Sequence, residues 1–495
     1  MILRVPSSIV NFFRELVPSG AKYAPDHVRR ALPAIVAGMV LTTSRRRSMT
    51  AIGGAVHAAR RDKATVSRLL LRRDFRSRDL HWEVLARVFK KLAPTIKRGK
   101  RDWLLALDGT ATKRGSETNI KGAIQSEEAK TKRKNKKRKV GGPRTRKDGK
   151  SKKGRKTKYH TFLLASLTTH TGTRIPLPRH TCDPKDYKRQ GGQKSRRDTQ
   201  LDLAKILIKR VREIKPEGVR LVVVADSYFE CGKLYAFAKQ NPEDLVLITR
   251  TDSDRCFADE TTPSKSNGER ILDHGLSFDY SGNDFSRLDL RRGSEKTVRY
   301  RRYSARKPTS KDRRTYRLRH EARTVAGLGT VGIVYSWKTP VYEPRRNHRG
   351  KSFKVLFCSD PTWSAERIVE WYECRWTAIE ILIRELKQQL GFADHTGQKL
   401  DALERHIDLV LLSFMYLEME RARILEDPGA RPAIAAKAAA SRTYGMQEVV
   451  RQEASRELIE TMKESRHSER KKRLLNSFFE HLSGTHDTGW ASAYT

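Results

Sequence analysis

"LVVVADSYFECGKLYAFAKQ", residues 221–240, begins with an apolar, β-prone run and ends in a helix-compatible stretch, with one carboxylate, Asp226, at the join. Leu221 to Ala225 have the composition of a buried strand, because a continuous apolar run needs cover on both faces. An aspartate at such a join commonly caps the next helix through a side-chain oxygen. Whether Asp226 does more depends on where the other carboxylates stand.

Upstream, "DWLLALDGTATKRG" (102–115) reads as a strand ending in Asp108, followed by turn residues. "YHTFLLASLTTHTGTRIPLPRHTCD" (159–183) reads as two strands joined at Thr171-Gly172. "TQLDLAKILIKRVREI" (199–214) is an amphipathic helix with apolar residues at Leu201, Leu203, Ile206, Leu207 and Val211. Downstream, "DLVLITRTD" (244–252) is another strand. Strand–strand–strand–helix–strand–helix–strand predicts a mixed α/β sheet.

Around this core the pattern divides the chain further. Residues 1–100 read as helical, and 251–350 as a β-rich insertion containing "KTVRYRRYSA" and "GTVGIVYSWK". Residues 351–425 return to the core through the strand "KSFKVLFCSDP" and two long helical segments, the second of which, "DALERHIDLVLLSFMYLEMERARIL" (401–425), reads as an amphipathic helix, and 426–495 form a basic helical C-terminal region. The basic helix Lys63 to Arg72, with Thr65, Ser67, Arg68 and Arg72 beside Val66, Leu69 and Leu70, resembles the second helix of a helix-turn-helix hinged at Arg61-Asp62. A small bundle with a solvated basic face has the same pattern.

Charge narrows the partners. Lys plus Arg number 103 against 57 Asp plus Glu, a formal charge of +46 over 495 residues. That balance favours a polyanionic partner over a small neutral metabolite. Residues 130–158 hold 17 basic residues and one acidic, so the expectation is a disordered arm in contact with a nucleic-acid backbone. Five cysteines with no CxxC pair point to reduced thiols in a cytosolic setting rather than disulfides or a zinc ribbon. The start, "MILRVPSSIVNFFREL", makes a poor signal peptide, and no apolar run approaches the roughly 18 residues of a membrane span.

The first of the two long helical segments, "SAERIVEWYECRWTAIEILIRELKQQLGF" (364–392), carries a stripe of Ile379, Leu382, Ile383, Leu386 and Leu390 that must face a core. Glu380 lies beside that stripe, and Lys387, seven residues on, is offset by only about 20°. Alone, this is an ordinary surface pair. With Asp108 and Asp226 at two strand ends, it becomes a third carboxylate that an α/β sheet can gather at the carboxyl ends of its strands. Three such groups repel unless cations neutralise them, and hard divalent ions with oxygen ligands do so. Two ions together support in-line phosphoryl displacement. The polycationic chain makes a nucleic-acid phosphodiester the expected substrate.

"LALDGT", "VVVADSYF" and "WYECRWTAIEILIRELKQQLG" resemble the three acidic blocks of insertion-sequence DDE transposases with a ribonuclease-H-like catalytic core, over roughly residues 100 to 425. The resemblance implies metal binding by Asp108, Asp226 and Glu380, with Mg²⁺ or Mn²⁺, two ions, as cofactor. The last block is similar to the Tyr-Arg-Glu-Lys signature, which implies Tyr372, Arg375 and Lys387 near DNA phosphates; separately, the basic helix Lys63 to Arg72 offers Ser67 and Arg68 as the base-edge contacts of an end-binding region. The resemblance further implies cleavage at transposon ends and strand transfer into target DNA, a homodimer on double-stranded DNA, and a prokaryotic, nucleoid-associated setting. A catalytically inactive DNA-binding relative and a metal-dependent nuclease on the same fold are the alternatives.

One spacing departs from the signature. Four residues, Trp376 to Ile379, separate Arg375 from Glu380 where three are usual. On a regular helix the extra residue swings Arg375 off Glu380's face. The expectation is an irregular backbone between Trp371 and Ile379, as a π-bulge or a late helix start, with Arg384 as the substitute if Arg375 faces solvent. Asp102, Asp360, Glu373 and Glu385 read as caps or solvated helix positions.

Overall fold

The computed structural model describes residues 5–17, 22–42, 52, 63–96, 102–114, 124–127, 156–182, 200–251, 254–278, 285–291, 313–339, 353–395, 399–427, 429–440 and 443–464. The anticipated hinge at Arg61-Asp62 lies outside the described residues. So does the basic stretch 130–158, save its last three residues, which begin a strand, and so does the tail beyond 464.

The protein is mixed α/β, built on one large sheet flanked by helices. The core strands are β1 (Asp102–Arg114), β2 (Ile124–Glu127), β3 (Lys156–Thr168), β4 (Arg174–Pro176), β5 (His180–Cys182), β6 (Arg220–Ala225) and β7 (Leu245–Arg250). β1 pairs antiparallel with β3, while β1–β6 and β6–β7 are parallel. Parallel neighbours need crossovers. Helix α5 (Gln200–Ile214) precedes β6, and α6 (Gly232–Lys239) joins β6 to β7. Leu221 to Ala225 are all completely buried, as a central parallel strand requires. The turn at Thr171-Gly172 is present, with Gly172 at φ 80°, a left-handed geometry that favours glycine.

The described residues between 254 and 339 are rich in strands and extend the same sheet. They contain β8 (Cys256–Ala258), β9 (Ser266–Arg270), a short helix α7 (Ile271–Leu276), β10 (Ser286–Arg291), β11 (Arg313–Val325) and β12 (Gly329–Thr339). β12 pairs with β13 (Phe353–Cys358), which pairs with β7, so the order β2-β3-β1-β6-β7-β13-β12-β11-β8-β9 is continuous.

Four N-terminal helices, α1 (Ser7–Leu16), α2 (Asp26–Leu41), α3 (Lys63–Leu71) and α4 (Ser77–Leu92), form a helical layer. Beyond β13 come α8 (Ala365–Arg375), α9 (Ile381–Gln389), α10 (Leu400–Glu426), α11 (Pro432–Ala440) and α12 (Thr443–Glu464). α2, α3 and α4 all pack on α10, so the layer and the sheet share one hydrophobic core. No helix among the described residues is long and apolar enough to cross a membrane.

Three expectations are corrected. β1 does not end at Asp108: its pairing with β6 stops at Ala106, but β3 continues to pair with it through Asp108 and on to Arg114. In α5 the buried residues are Ala204, Leu207, Ile208 and Val211, while Ile206 is exposed, so the apolar face is rotated from the anticipated one. α10 is buried on nearly every side, because it lies between the sheet and the N-terminal helices rather than at the surface as an amphipathic helix.

Candidate active site

Asp226 follows the last residue of β6, where its Oδ1 accepts a 3.1 Å bond from the Tyr228 backbone N–H. The cap reading therefore holds for one oxygen. Asp108, one strand over, projects from β1 just beyond the point where β6 stops pairing. The missing β6 neighbour opens the sheet there.

The segment 364–392 is helical throughout but not regularly so. Ser364 caps its start by accepting from the Arg367 N–H at 3.3 Å. From Trp376 to Glu380 the backbone forms a π-turn, with the Ile381 N–H bonding back to the Trp376 carbonyl, five residues earlier. Such a turn absorbs one extra residue. Arg375 consequently stays on the acid side: Nη2 pairs with Glu380 Oε1, and Nη1 lies 3.7 Å from Asp108 Oδ2. The irregularity expected from the spacing is present, and Arg375 does not face solvent.

The electrostatics tie the acids together. Asp108 is pushed up to about 6, mainly by burial, with Arg375 opposing and the charges of Asp226 and Glu380 adding to the rise. Glu380 is raised by burial, again against Arg375, and by Asp226, with Lys354 opposing. Tyr372 is buried, and its phenol is raised by burial, lowered by Arg375 and Arg250, and raised by Asp226. It therefore lies within the field of the acid group. Lys387 is lowered by burial and partly restored by Asp108.

A cleft of about 390 Å³ opens among Asp108, Gly109, Thr110, Glu380, Arg384 and Lys387. Glu380 and Lys387 thus present to the same space, as their seven-residue spacing requires. Arg384 also lines it, exposed, so it stands beside Arg375 rather than replacing it. Arg68 is exposed on α3 and does not line this cleft.

The other carboxylates have structural partners. Asp102 is held by Arg220 at 2.9 and 3.1 Å and by Arg367 at 2.9 Å. Asp360 accepts from the Thr362 N–H and hydroxyl at 3.0 and 2.6 Å. Glu373 takes Lys354 at 3.0 Å. Glu385 departs from the solvated reading: it pairs at 2.8 Å with Arg174, whose side chain is only 2% exposed.

Two cations were not anticipated. Arg250 ends β7, beside the strand that Asp226 follows, so the logic of strand ends applied to Asp226 also points to it. Lys354 is less legible. Its Nζ is 5.7 Å from the Tyr372 ring centroid, a contact that only the pairing of β13 brings about.

Among the described residues, no three His, Cys, Asp or Glu side chains are placed to hold one metal ion, and the Arg375 guanidinium reaches both Asp108 and Glu380. The donor set nonetheless suits a hard cation: all oxygen, mutually repelling, and only partly offset by the Arg375 guanidinium.

No protein-family profile matches the chain, and no curated protein does. Among solved structures, the chain is similar to a piggyBac transposase synaptic complex with hairpin DNA, determined by cryo-EM. The similarity spans 94% of this chain and 81% of that one, at 12% identity and a TM-score of 0.41. So loose a superposition says nothing about activity.

Proposed function

We propose that the protein is a DNA transposase, cutting at the ends of a mobile element and joining the freed 3′-hydroxyl to target DNA. One observation carries the reading. Asp226 and Glu380 raise the proton affinity of Asp108, and Asp226 that of Glu380, beside a cleft lined by Asp108, Glu380 and Lys387. Three acids with one guanidinium among them leave an excess of negative charge, which in a chain of charge +46 suits a site that holds cations between itself and a polyanion.

Asp108, Asp226 and Glu380 are the residues to hold divalent ions, Mg²⁺ or Mn²⁺. When bound, such ions activate the attacking oxygen and stabilise the leaving one. The chain's own groups do the rest. Lys387 and Arg384, lining the cleft, take phosphate oxygens. Arg375, freed from the acids once they are neutralised, becomes a bidentate phosphate donor. Tyr372 supplies a protonated phenol beside Asp226. Residues 130–158 add affinity without sequence preference, and α3, through Ser67 and Arg68, is the segment to read element ends.

The guanidinium between Asp108 and Glu380 favours a second reading, a DNA-binding protein that no longer cuts. A cleavage assay with Mg²⁺ on DNA carrying the element's ends separates the two, and a joining assay with a pre-cut 3′ end separates transposase from nuclease. Binding without cleavage under every divalent ion would overturn the proposal in favour of the binder.

A further inference from the structure

A second cleft, of about 370 Å³, lies where the start of α4 meets the edge strand β5 and the start of α10. Its walls carry Arg73, Arg78, Arg179, Arg405 and His180. Arg179 is committed to Glu404 and Asp408, at 3.1 and 3.3 Å. Arg405 donates to the carbonyls of Leu70 and Phe75, at 2.8 and 3.0 Å, so no carboxylate cancels its charge. Arg73 and Arg78 are exposed and have no acid partner among the described residues. Against these three uncancelled cations stands one unpaired acid of the lining, Asp401.

Two features point to a ligand rather than to a solvated basic face. His180 is only 7% exposed, and its Nε2 has no hydrogen-bond partner among the described residues. A buried imidazole nitrogen left unsatisfied costs free energy that a bound acceptor would recover. Its neighbours Arg78, Arg179 and Arg210, together with burial, hold it neutral, near 4, which suits a nitrogen shared with an anion's oxygen. The second feature is α4, a 16-residue helix that begins in the cleft without a side-chain cap. Its first N–H groups and the positive end of its dipole favour an anion there.

The position suggests which anion. Arg405 ties the C-terminal end of α3 to the cleft wall. On the other side, His180 pairs with Leu163, which pairs with Gly109, the neighbour of Asp108. The cleft thus stands between the helix read as end-binding and the acid site, two strands from the latter.

We propose that this cleft seats one backbone phosphate of duplex DNA, held by Arg73, Arg78, the His180 imidazole and the α4 N-terminus, and so fixes the register between α3 and the acid site. The inference rests on the reading of the chain as a duplex-DNA enzyme.

The test is the salt dependence of binding of the full chain to a short random-sequence duplex. Wild type is compared with Arg73→Ala/Arg78→Ala and with a charge-matched control, Lys265→Ala/Arg270→Ala, at exposed positions just before β9 and at its last residue. One phosphate contact contributes about 0.9 to the slope of log K against log salt. The cleft variant is expected to lose about that much slope and roughly tenfold in affinity at moderate salt, with an unchanged melting temperature, while the control stays near wild type. Cleft and control variants behaving alike would overturn the inference. So would inorganic phosphate raising the melting temperature of wild type but not of the cleft variant while duplex binding is equal in both, since the cleft would then serve a free anion. Wild type failing to bind duplex at all would instead strike the functional reading beneath it.

Discussion

Two groups of charges meet α9 and behave oppositely. On one side Glu385 pairs with Arg174, which also lies 3.7 Å from Glu418, itself 3.7 Å from Arg421. Arg174, Glu418 and Arg421 are almost wholly buried, and the charges of the network alternate. On the other side Arg375 pairs with Glu380 and lies near Asp108, Asp226 adds its negative charge to both, and burial raises both Asp108 and Glu380. The first arrangement is complete within the chain. The second has an excess of one sign beside an open cleft. An ionic cluster that balances itself holds a fold together, whereas one that does not is poised for something from outside.

The sharpest way to break this contrast is at Asp226. Asp226→Asn keeps the cap geometry available, since the amide oxygen can still accept from Tyr228, yet removes a carboxylate. Cleavage with Mg²⁺ should fall at least about a hundredfold, while DNA binding and melting temperature stay at wild-type values. An active Asp226→Asn protein would mean that the acid is a cap and nothing more.

The balanced cluster should respond in the opposite sense. Arg174→Met removes the cation between Glu385 and Glu418 and leaves the buried Glu418 with Arg421, 3.7 Å away, as its remaining cation among the described residues. Breaking a buried pair from one side costs about 3–5 kcal/mol. Denaturant unfolding should show a loss of that order, with the cleft's chemistry lost only in proportion to unfolding. A near-neutral Arg174→Met would show that the network is as dispensable as a surface pair.

The unbalanced cluster carries a pH signature of unusual sign. Asp108 has its carboxyl raised from 3.8 to about 6, so the folded chain holds the proton more tightly than the unfolded one. Its favourable contribution is therefore present below pH 3.8 and is lost as pH rises through about 6. The upper bound is about 3 kcal/mol. In chelator, Asp108→Asn should flatten the fall in stability across that window and leave the protein more stable than wild type at pH 7. In Mg²⁺ the difference should shrink, because the ion supplies the missing positive charge. Equal pH profiles for wild type and Asp108→Asn would place Asp108 in ordinary solvent.

Much of this was legible in the residues. The apolar run before Asp226 announced a buried parallel strand, and the extra residue between Arg375 and Glu380 announced an irregular helix, because side-chain angle follows directly from residue count. The surroundings were harder to read. α10 looks amphipathic because Asp408, Glu418 and Arg421 are charged, yet all three are buried: Asp408 is matched to Arg179 and Glu418 to Arg174, both far away in sequence, while Arg421 meets Glu418 and the Ala438 carbonyl. Pairing across hundreds of residues leaves no local trace. Ile206 misled in the converse way, since an exposed isoleucine costs little and periodicity counts it as core. The position of β1's end was hidden for a related reason: a strand continues as long as one partner does, and that partner, β3, begins more than 40 residues later.

The smallest effect expected is at Lys387, and it tests which cluster that residue belongs to. Its ammonium is lowered by burial and partly restored by Asp108, and it shares the cleft with Glu380. No ion pair joins it to a carboxylate among the described residues, so it has no share in the balanced network. Removing it should change stability by no more than about 1 kcal/mol, the range for partly exposed charges. Lys387→Ala should nevertheless weaken end binding or joining roughly tenfold, the value of one charge-assisted phosphate contact of about 1.5 kcal/mol. Lys387→Arg should recover part of that loss, since the charge returns in a different shape. Full joining activity in Lys387→Ala would reduce the residue to a passive counter-charge for Asp108. A large loss of stability with activity per folded molecule unchanged would move it to the structural side of the comparison.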